Sequence, residues 1–313
     1  MFNETVRGIR DMSIRGAARI GISAVKALRA AVEGYSAGSP EEMKDYIRGC
    51  IRELLSTRPT AVSLKNALVK ASIRAMRADD VEGMKRAVAE DTEAFIRKAE
   101  EAKGIIGKIG ARRVEDGKVY MTHCSSSAAI SVFRTARESG KEFTVVATET
   151  RPWRQGMLTV RALSEAGVDT KFIVDSAARH VMREMDVEAV FVGADAISST
   201  GTVVNKIGTS MIALAAHENG IHFYVCAESF KFSTETLFGK LVPIEERPVE
   251  EVAPPEEVPG VEILNPVFDA TPAEYITGII TESGIIPPHA AYDLIVKEFG
   301  DVGEWSLLEL DTG

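Results

Sequence analysis

Cys124 follows the stretch Val119-Tyr120-Met121-Thr122-His123 and precedes three serines, Ser125-Ser126-Ser127. Val119 to Thr122 is β-branched and aromatic enough for a short buried strand, and Ala128 to Glu138 reads as a helix. A strand that stops at a reactive residue and turns into a helix is how open α/β sheets build their sites. Serines are natural N-caps, and the free N–H groups of a first helical turn hold an anion well. A thiol beside a helix N-terminus has its thiolate favoured. These residue types could supply a nucleophile or base next to a phosphate or oxyanion pocket. The competing reading is a buried structural cysteine in a strand-to-helix turn.

The elements that must position this cysteine begin at Asp116-Gly117. Strands are expected near 118–122, 143–148, 170–174, 188–193 and 222–227, and helices near 127–138, 155–166, 176–185 and 207–218. This alternation implies α/β architecture with a doubly wound parallel sheet. Cys124, Glu149, Asp175, Asp195 and Glu228 each fall at or just past the C-terminal end of an expected strand, the edge where open α/β sheets bind ligands. Cys226 lies inside its strand and reads as packing.

Residues 1–110 read as all-helical. Residues 1–14 are mixed and polar. Arg15-Gly16-Ala17-Ala18-Arg19 then opens a helix marked by Ile20, Ala24, Leu28, Ala31 and Val32. Small residues let a helix start approach a ligand closely, so this is either an anion site or a solvated basic helix start. Ser39-Pro40-Glu41-Glu42 is a capped start for a helix running to about Ser56, with Cys50 on its buried face. Arg58 precedes Pro59 and must be extended. Helices follow near 62–77 and 80–107. Gly104, Gly107 and Gly110 match no dinucleotide fingerprint, because no strand precedes them. Residues 240–259 read as an acidic, proline-rich surface loop, 261–286 as a closing strand and turn segment, and 287–299 as a last helix. The expected domains are 1–112, helical, and 113–313, the α/β domain that carries the chemistry.

With 313 residues and 45% hydrophobic composition the chain can bury sizeable cores. Its net charge of −9 argues against a nucleic-acid surface. Met1 to Arg19 lacks the apolar core of a signal peptide, and no run of 18 apolar residues suggests a membrane span. Cys50, Cys124 and Cys226 are far apart and odd in number, so they read as reduced thiols of a cytoplasmic protein. The five histidines lack metal-ligand spacing, and no structural zinc is expected.

Several phrases taken together resemble one superfamily: Arg15-Gly16-Ala17-Ala18, Thr122-His123-Cys124, Glu149-Thr150-Arg151-Pro152 with Gln155-Gly156, and Gly193-Ala194-Asp195-Ala196-Ile197. Asn205-Lys206-Ile207-Gly208-Thr209, Phe268-Asp269-Ala270-Thr271-Pro272 and Ile279-Ile280-Thr281-Glu282 complete the set. The chain is similar to sugar-phosphate isomerases related to the α, β and δ subunits of the translation initiation guanine-nucleotide exchange factor. The resemblance spans nearly the whole chain in motif order and implies an N-terminal helical domain followed by a Rossmann-like domain. Regulatory exchange-factor subunits lack the cysteine after Thr-His. Methylthioribose-1-phosphate isomerases usually carry Asn-Ala-Gly after it and a longer segment before Arg-Gly-Ala. Ser125-Ser126-Ser127 and a 14-residue lead instead resemble the archaeal ribose-1,5-bisphosphate isomerases, which supply ribulose 1,5-bisphosphate in nucleotide salvage.

That resemblance implies Cys124 as proton acceptor and Asp195 as proton donor. It places ligand binding on Arg15, Gly16, Ala17, Ala18, Arg58, Ser126, Ser127, Asn205, Lys206 and Lys231. It also implies a small sugar bisphosphate as ligand, no metal or redox cofactor, a homo-oligomer (dimer or hexamer), and a salvage role compatible with AMP as activator. The alternatives are methylthioribose-1-phosphate isomerisation and a non-catalytic exchange-factor-like regulatory subunit. The chemistry fits the residues: moving the carbonyl of a C1-phosphorylated ribose needs one acid and one base in a water-poor site. A strand end among Val190, Phe191 and Val192 gives Asp195 the partly buried setting that favours proton donation. Cys124 is expected to need only a modest downward pKa shift to act as base. Arg15 and Arg58 are expected over the sheet edge.

Overall fold

A computed structural model describes residues 1–300 and Leu308. The described residues form two compact units: residues 1–101, 230–232, 296–300 and Leu308, and residues 102–229 and 233–295.

The first unit is helical. Its helices are α1 (Phe2–Arg10), α2 (Ala17–Gly34), α3 (Pro40–Thr57), α4 (Val62–Ser72) and most of α5 (Val81–Ala111). Ser39 Oγ caps α3 by accepting from Glu42 N at 3.2 Å, with Pro40 in the first turn. Apolar residues at helical spacing, among them Leu28, Ile47, Ile51, Leu54, Leu64 and Leu68, are fully buried in one core that also takes Phe230. Cys50 lies in that core. Helix α1 falls in the stretch read only as mixed and polar, and Val6 and Ile9 bury one side of it. The helix expected over 62–77 stops at Ser72, with a 3-10 turn at Ala75–Arg77.

The division between units falls inside α5 rather than at residue 112. The last turns of the helix pack into the second core: Ile106 and Ala111 join its apolar cluster, and a Cβ on Gly110 would stand 2.4 Å from a Val132 methyl.

The second unit is α/β. In chain order it contains β1 (Val119–Thr122), α6 (Ser127–Glu138), β2 (Thr144–Thr148), α7 (Gly156–Glu165), β3 (Asp169–Ile173), α8 (Ala178–Glu184) and β4 (Val187–Val192). There follow β5 (Ala196–Ile197), β6 (Val203–Lys206), α9 (Thr209–Glu218), β7 (His222–Cys226), β8 (Phe268–Thr271), β9 (Gly278–Thr281), β10 (Gly284–Ile286) and the start of α10 (Ala291–Phe299). The main sheet has the order β10-β9-β7-β4-β1-β2-β3 and is parallel except for β10. Helices α6 and α7 pack together, as do α8 and α9. Right-handed crossovers put the two pairs on opposite faces, because the chain reverses its winding direction at β1. Tyr120, Phe133, Phe143 and Phe191 interlock in the core, and Cys226 is fully buried beside them. The strands and crossover helices lie within about two residues of their expected positions. The smaller antiparallel sheet β5-β6-β8 was not expected.

Candidate active site at the sheet's switch point

The chain leaves β1 for β2 and β3, then returns to β4 on the other side of β1. Such a reversal opens a crevice beyond the carboxyl ends of the two central strands, where ligands bind in this architecture. Cys124 follows β1 and Asp195 follows β4. Ser126 caps α6, accepting from Ala129 N at 3.3 Å. A Cβ on Gly193 would sit 2.5 Å from Ser126 Oγ, so glycine is what lets the end of β4 close against the start of α6. Glu149, Asp175 and Glu228 also lie just past strand ends.

Cys124 has φ 65°, a left-handed conformation that costs a non-glycine residue about 1–2 kcal/mol. Its neighbours hold it there. Its N–H donates to Thr150 Oγ1 at 2.9 Å, its carbonyl accepts from Thr159 Oγ1 at 2.7 Å, and its thiol donates to Gln155 Oε1 at 3.6 Å. Thr150 and Arg154 are left-handed too, at φ 63° and 54°. Asp175 fixes their loop by accepting from Thr150 N at 2.7 Å and Arg151 N at 2.8 Å. Backbone strain of this kind persists only where the surroundings over-determine it, and it gathers at functional sites.

His123 joins this turn to the one after β6. Its Nε2 lies 2.9 Å from the Ile207 carbonyl and its Nδ1 2.6 Å from Thr148 Oγ1. A carbonyl only accepts, so Nε2 carries the proton and Nδ1 takes the threonine hydroxyl. Burial holds the imidazole below its usual range, outweighing the Ile207 carbonyl and Asp175; His123 is therefore a neutral strut. Its ring also sets the limit at Gly208, where a Cβ would stand 3.1 Å from His123 Cε1 at a φ of +99°.

The turn after β6 carries Asn205 and Lys206. Asn205 is buried and donates to Thr209 Oγ1 at 3.0 Å, and that hydroxyl donates to the Lys206 carbonyl at 2.6 Å. The Lys206 ammonium lies 5.0 Å from the centre of the Phe268 ring. Asp269 caps α9, accepting from Gly208 N at 2.8 Å and Ser210 N at 3.1 Å. Burial pushes its carboxyl up to about 6, against the pull of the Ser210 and Gly208 amides. The Asp195 backbone N–H donates to the Val204 carbonyl at 2.9 Å, which ties the end of β4 to β6.

The Cys124 thiol corrects one expectation. Its residue keeps some exposure, yet protein surrounds the sulfur closely, and desolvation pushes the thiol up to about 11. Lys206 and the Ser125 amide pull it down, while Asp195 and Asp175 push it further up. The helix-terminus argument for a depressed pKa therefore loses to burial. The resting group is a thiol, as its bond to Gln155 Oε1 requires.

The switch point thus brings together Cys124, Ser126, Asp195, Asn205 and Lys206, with Ser127 exposed at the first position of α6. Arg15, Gly16, Ala17 and Ala18 open α2 in the first unit, where Gly16 is its N-cap and Arg15 is exposed. Arg58 is the C-cap of α3, at φ −156° and ψ 76° ahead of Pro59, and Lys231 is buried in a 3-10 turn within the same unit. Asp175, already placed at this edge by the sequence, supports the site; His123, Thr148, Thr150, Gln155 and Thr159 support it too but were not among the expected site residues. Their signal was present: each stands at or just past a strand end, or in the first turns of the helix after it. Among the described residues, no three His, Cys, Asp or Glu side chains form a metal-binding group, and no helix is long and apolar enough to cross a membrane.

The chain is 47% identical over 301 residues to a ribose 1,5-bisphosphate isomerase of Methanocaldococcus jannaschii, covering 96% of each chain. It is 36% identical to a methylthioribose-1-phosphate isomerase of Acetivibrio thermocellus, over 95% of this chain and 90% of the other. The crystal structure of a translation initiation factor eIF-2B of Pyrococcus horikoshii OT3 superposes with a TM-score of 0.79 at 33% identity, over 92% of this chain and 97% of that one. The model of the Initiation factor 2 subunit family matches residues 13–288, and the chain belongs to that family.

Proposed function

We propose that the protein is an isomerase converting ribose 1,5-bisphosphate to ribulose 1,5-bisphosphate. The observation that carries this reading is the pairing of Cys124 and Asp195 at the carboxyl ends of β1 and β4. It is supported by 47% identity to a relative of that name, against 36% for the methylthioribose-1-phosphate isomerase.

The two residues suffice for a closed proton cycle. Asp195 protonates the ring oxygen as the C1–O bond breaks. Cys124, once deprotonated, takes the C2 proton, which leaves an enol phosphate. The Asp195 carboxylate then removes the C2 hydroxyl proton while the Cys124 thiol protonates C1, giving the ketone at C2 and regenerating both groups. A thiol near 11 is ionised in roughly one molecule in 10⁴ at neutral pH, equivalent to about 5 kcal/mol. In exchange, the rare thiolate is a strong base.

For ligand binding we assign Ser126, Ser127, Asn205 and Lys206 at the switch point. Arg15 to Ala18, Arg58 and Lys231 complete the set, supplying cations for two phosphates. The reading extends to a cytoplasmic homo-oligomer, dimer or hexamer, with AMP as activator in nucleotide salvage. Light scattering for mass and an AMP titration of the rate check these two points.

The deciding assay compares ribose 1,5-bisphosphate, ribose 5-phosphate and methylthioribose 1-phosphate as substrates. Strong preference for the bisphosphate is expected. Equal turnover of the monophosphate contradicts the assignment. Preference for the methylthio sugar moves it to the second isomerase, and absence of turnover on all three favours a regulatory subunit.

A further inference from the structure

The acidic segment expected as a plain surface loop is fastened at two points, one on either flank of Cys124. At one end, Val267 N donates to Glu245 O and its own carbonyl accepts from Ile207 N, both at 2.9 Å. Ile207 is the residue whose carbonyl accepts from His123. At the other end, the Arg247 guanidinium lies 4.2 Å from the centre of the Trp153 ring, and Arg151 Nη2 donates to the Val252 carbonyl at 3.1 Å. Trp153 and Arg151 belong to the loop between Thr150 and Gln155, the residues that hold the Cys124 amide and thiol.

The fastening at Trp153 is a constructed knot. Glu251 takes Arg247 through Nε at 3.0 Å and Nη2 at 2.7 Å, and also receives a bond from the Trp153 side chain. Asn265, buried, donates to Glu251 Oε2 at 3.3 Å and the Pro248 carbonyl at 2.9 Å. Its carbonyl accepts from Arg247 N at 3.1 Å. A bidentate guanidinium stacked on an indole is geometrically exacting and resists substitution by lysine. Glu149 and Asp175 meet the loop from one side, at Arg154 and Thr150. The loop carries two left-handed non-glycine residues, Thr150 and Arg154, and so needs outside support to stay in place.

We propose that Arg247, acting through Trp153, is a positioning residue that holds Thr150 and Gln155 against Cys124 and so sets the reactivity of its thiol. The inference rests on Cys124 as the reactive group of the proposed isomerase, but its test needs no substrate. Lys206, Asp195 and Asp175 are the charged groups that act on the thiol, and of these Asp175 also bonds the loop, through Thr150 N and Arg151 N.

The experiment is alkylation of Cys124 by iodoacetamide from pH 7 to 11, located by peptide mass, in wild type, R247A, R247K and W153A, with C124S as blank. Opening the loop lets water reach the sulfur. At pH 8, R247A and W153A should therefore alkylate at least tenfold faster, with the profile displaced to lower pH and R247K between them and wild type. In the isomerase assay, kcat should fall more than KM rises. If R247A does not fold, W153A carries the test. A folded R247A or W153A whose alkylation profile coincides with wild type overturns the proposal, whatever its thermal stability, because a merely stabilising strap would leave the thiol unchanged. Loss of the isomerase reading would show instead as absent turnover in wild type and would leave the alkylation result intact.

Discussion

The turn after β1 and the turn after β6 are joined by His123 yet are built by opposite means. The first places a non-glycine residue in left-handed backbone at Cys124 and surrounds it with uncharged partners, Thr150, Gln155 and Thr159. The second gives its left-handed position to Gly208 and uses a lysine, an asparagine and the Asp269 carboxylate. Glycine would relax the first turn but would remove the thiol. Strain is kept where a side chain must face the crevice and avoided where none is needed. The two turns also divide the electrostatics: burial raises the thiol on one flank, and Lys206 on the other pulls it back.

The contrast breaks first at the reacting groups. Cys124→Ser and Asp195→Asn should each lower turnover by about 10²–10⁴. The double variant should be little worse than either single one, because both serve one path in the proposed cycle; multiplicative losses in steady-state kinetics would separate their roles. Next comes the strut between the flanks. His123→Leu leaves the Ile207 carbonyl without its donor, which should cost about 1–3 kcal/mol in denaturant unfolding. Gly208→Ala adds a Cβ in left-handed backbone against His123 and should cost about 1–2 kcal/mol, whereas a relaxed turn would show no change.

Smaller effects sharpen the electrostatic side. Lys206→Ala should displace the Cys124 alkylation profile to higher pH, since its ammonium lowers the thiol. Asp269, raised to about 6 in the folded chain from 3.8, binds its proton more tightly folded than unfolded. Its contribution to stability is therefore intact below about pH 4 and declines as pH rises through 6. Asp269→Asn should flatten the stability profile over that interval, as read by unfolding at fixed pH.

Much of this was legible because period and punctuation agree. The run Val145 to Thr148 and the helix after Ser126 announce themselves locally, and with the strand order they put Cys124 and Asp195 at one edge. What escaped depends on distant partners. Strand β5 has two residues and exists only because β6 pairs with it, and β6 in turn pairs with β8 some sixty residues later. The hairpin that begins within Gly193-Ala194-Asp195-Ala196-Ile197 was therefore hidden. The direction of the thiol shift was also out of reach. A sequence shows the helix start beside Cys124 but not the desolvation around its sulfur, which is set by the loops after β2 and β6. Arg247 and Trp153 are 94 residues apart and meet only in the folded chain.

The central claim is that Cys124 moves the C2 proton of ribose 1,5-bisphosphate. Its most direct test measures ribulose 1,5-bisphosphate formation by wild type and Cys124→Ser at saturating substrate, with substrate binding followed by calorimetry in parallel. The account predicts turnover by wild type, a loss of at least about 10² in Cys124→Ser, and binding within a few-fold of wild type. Near-normal turnover by Cys124→Ser contradicts it.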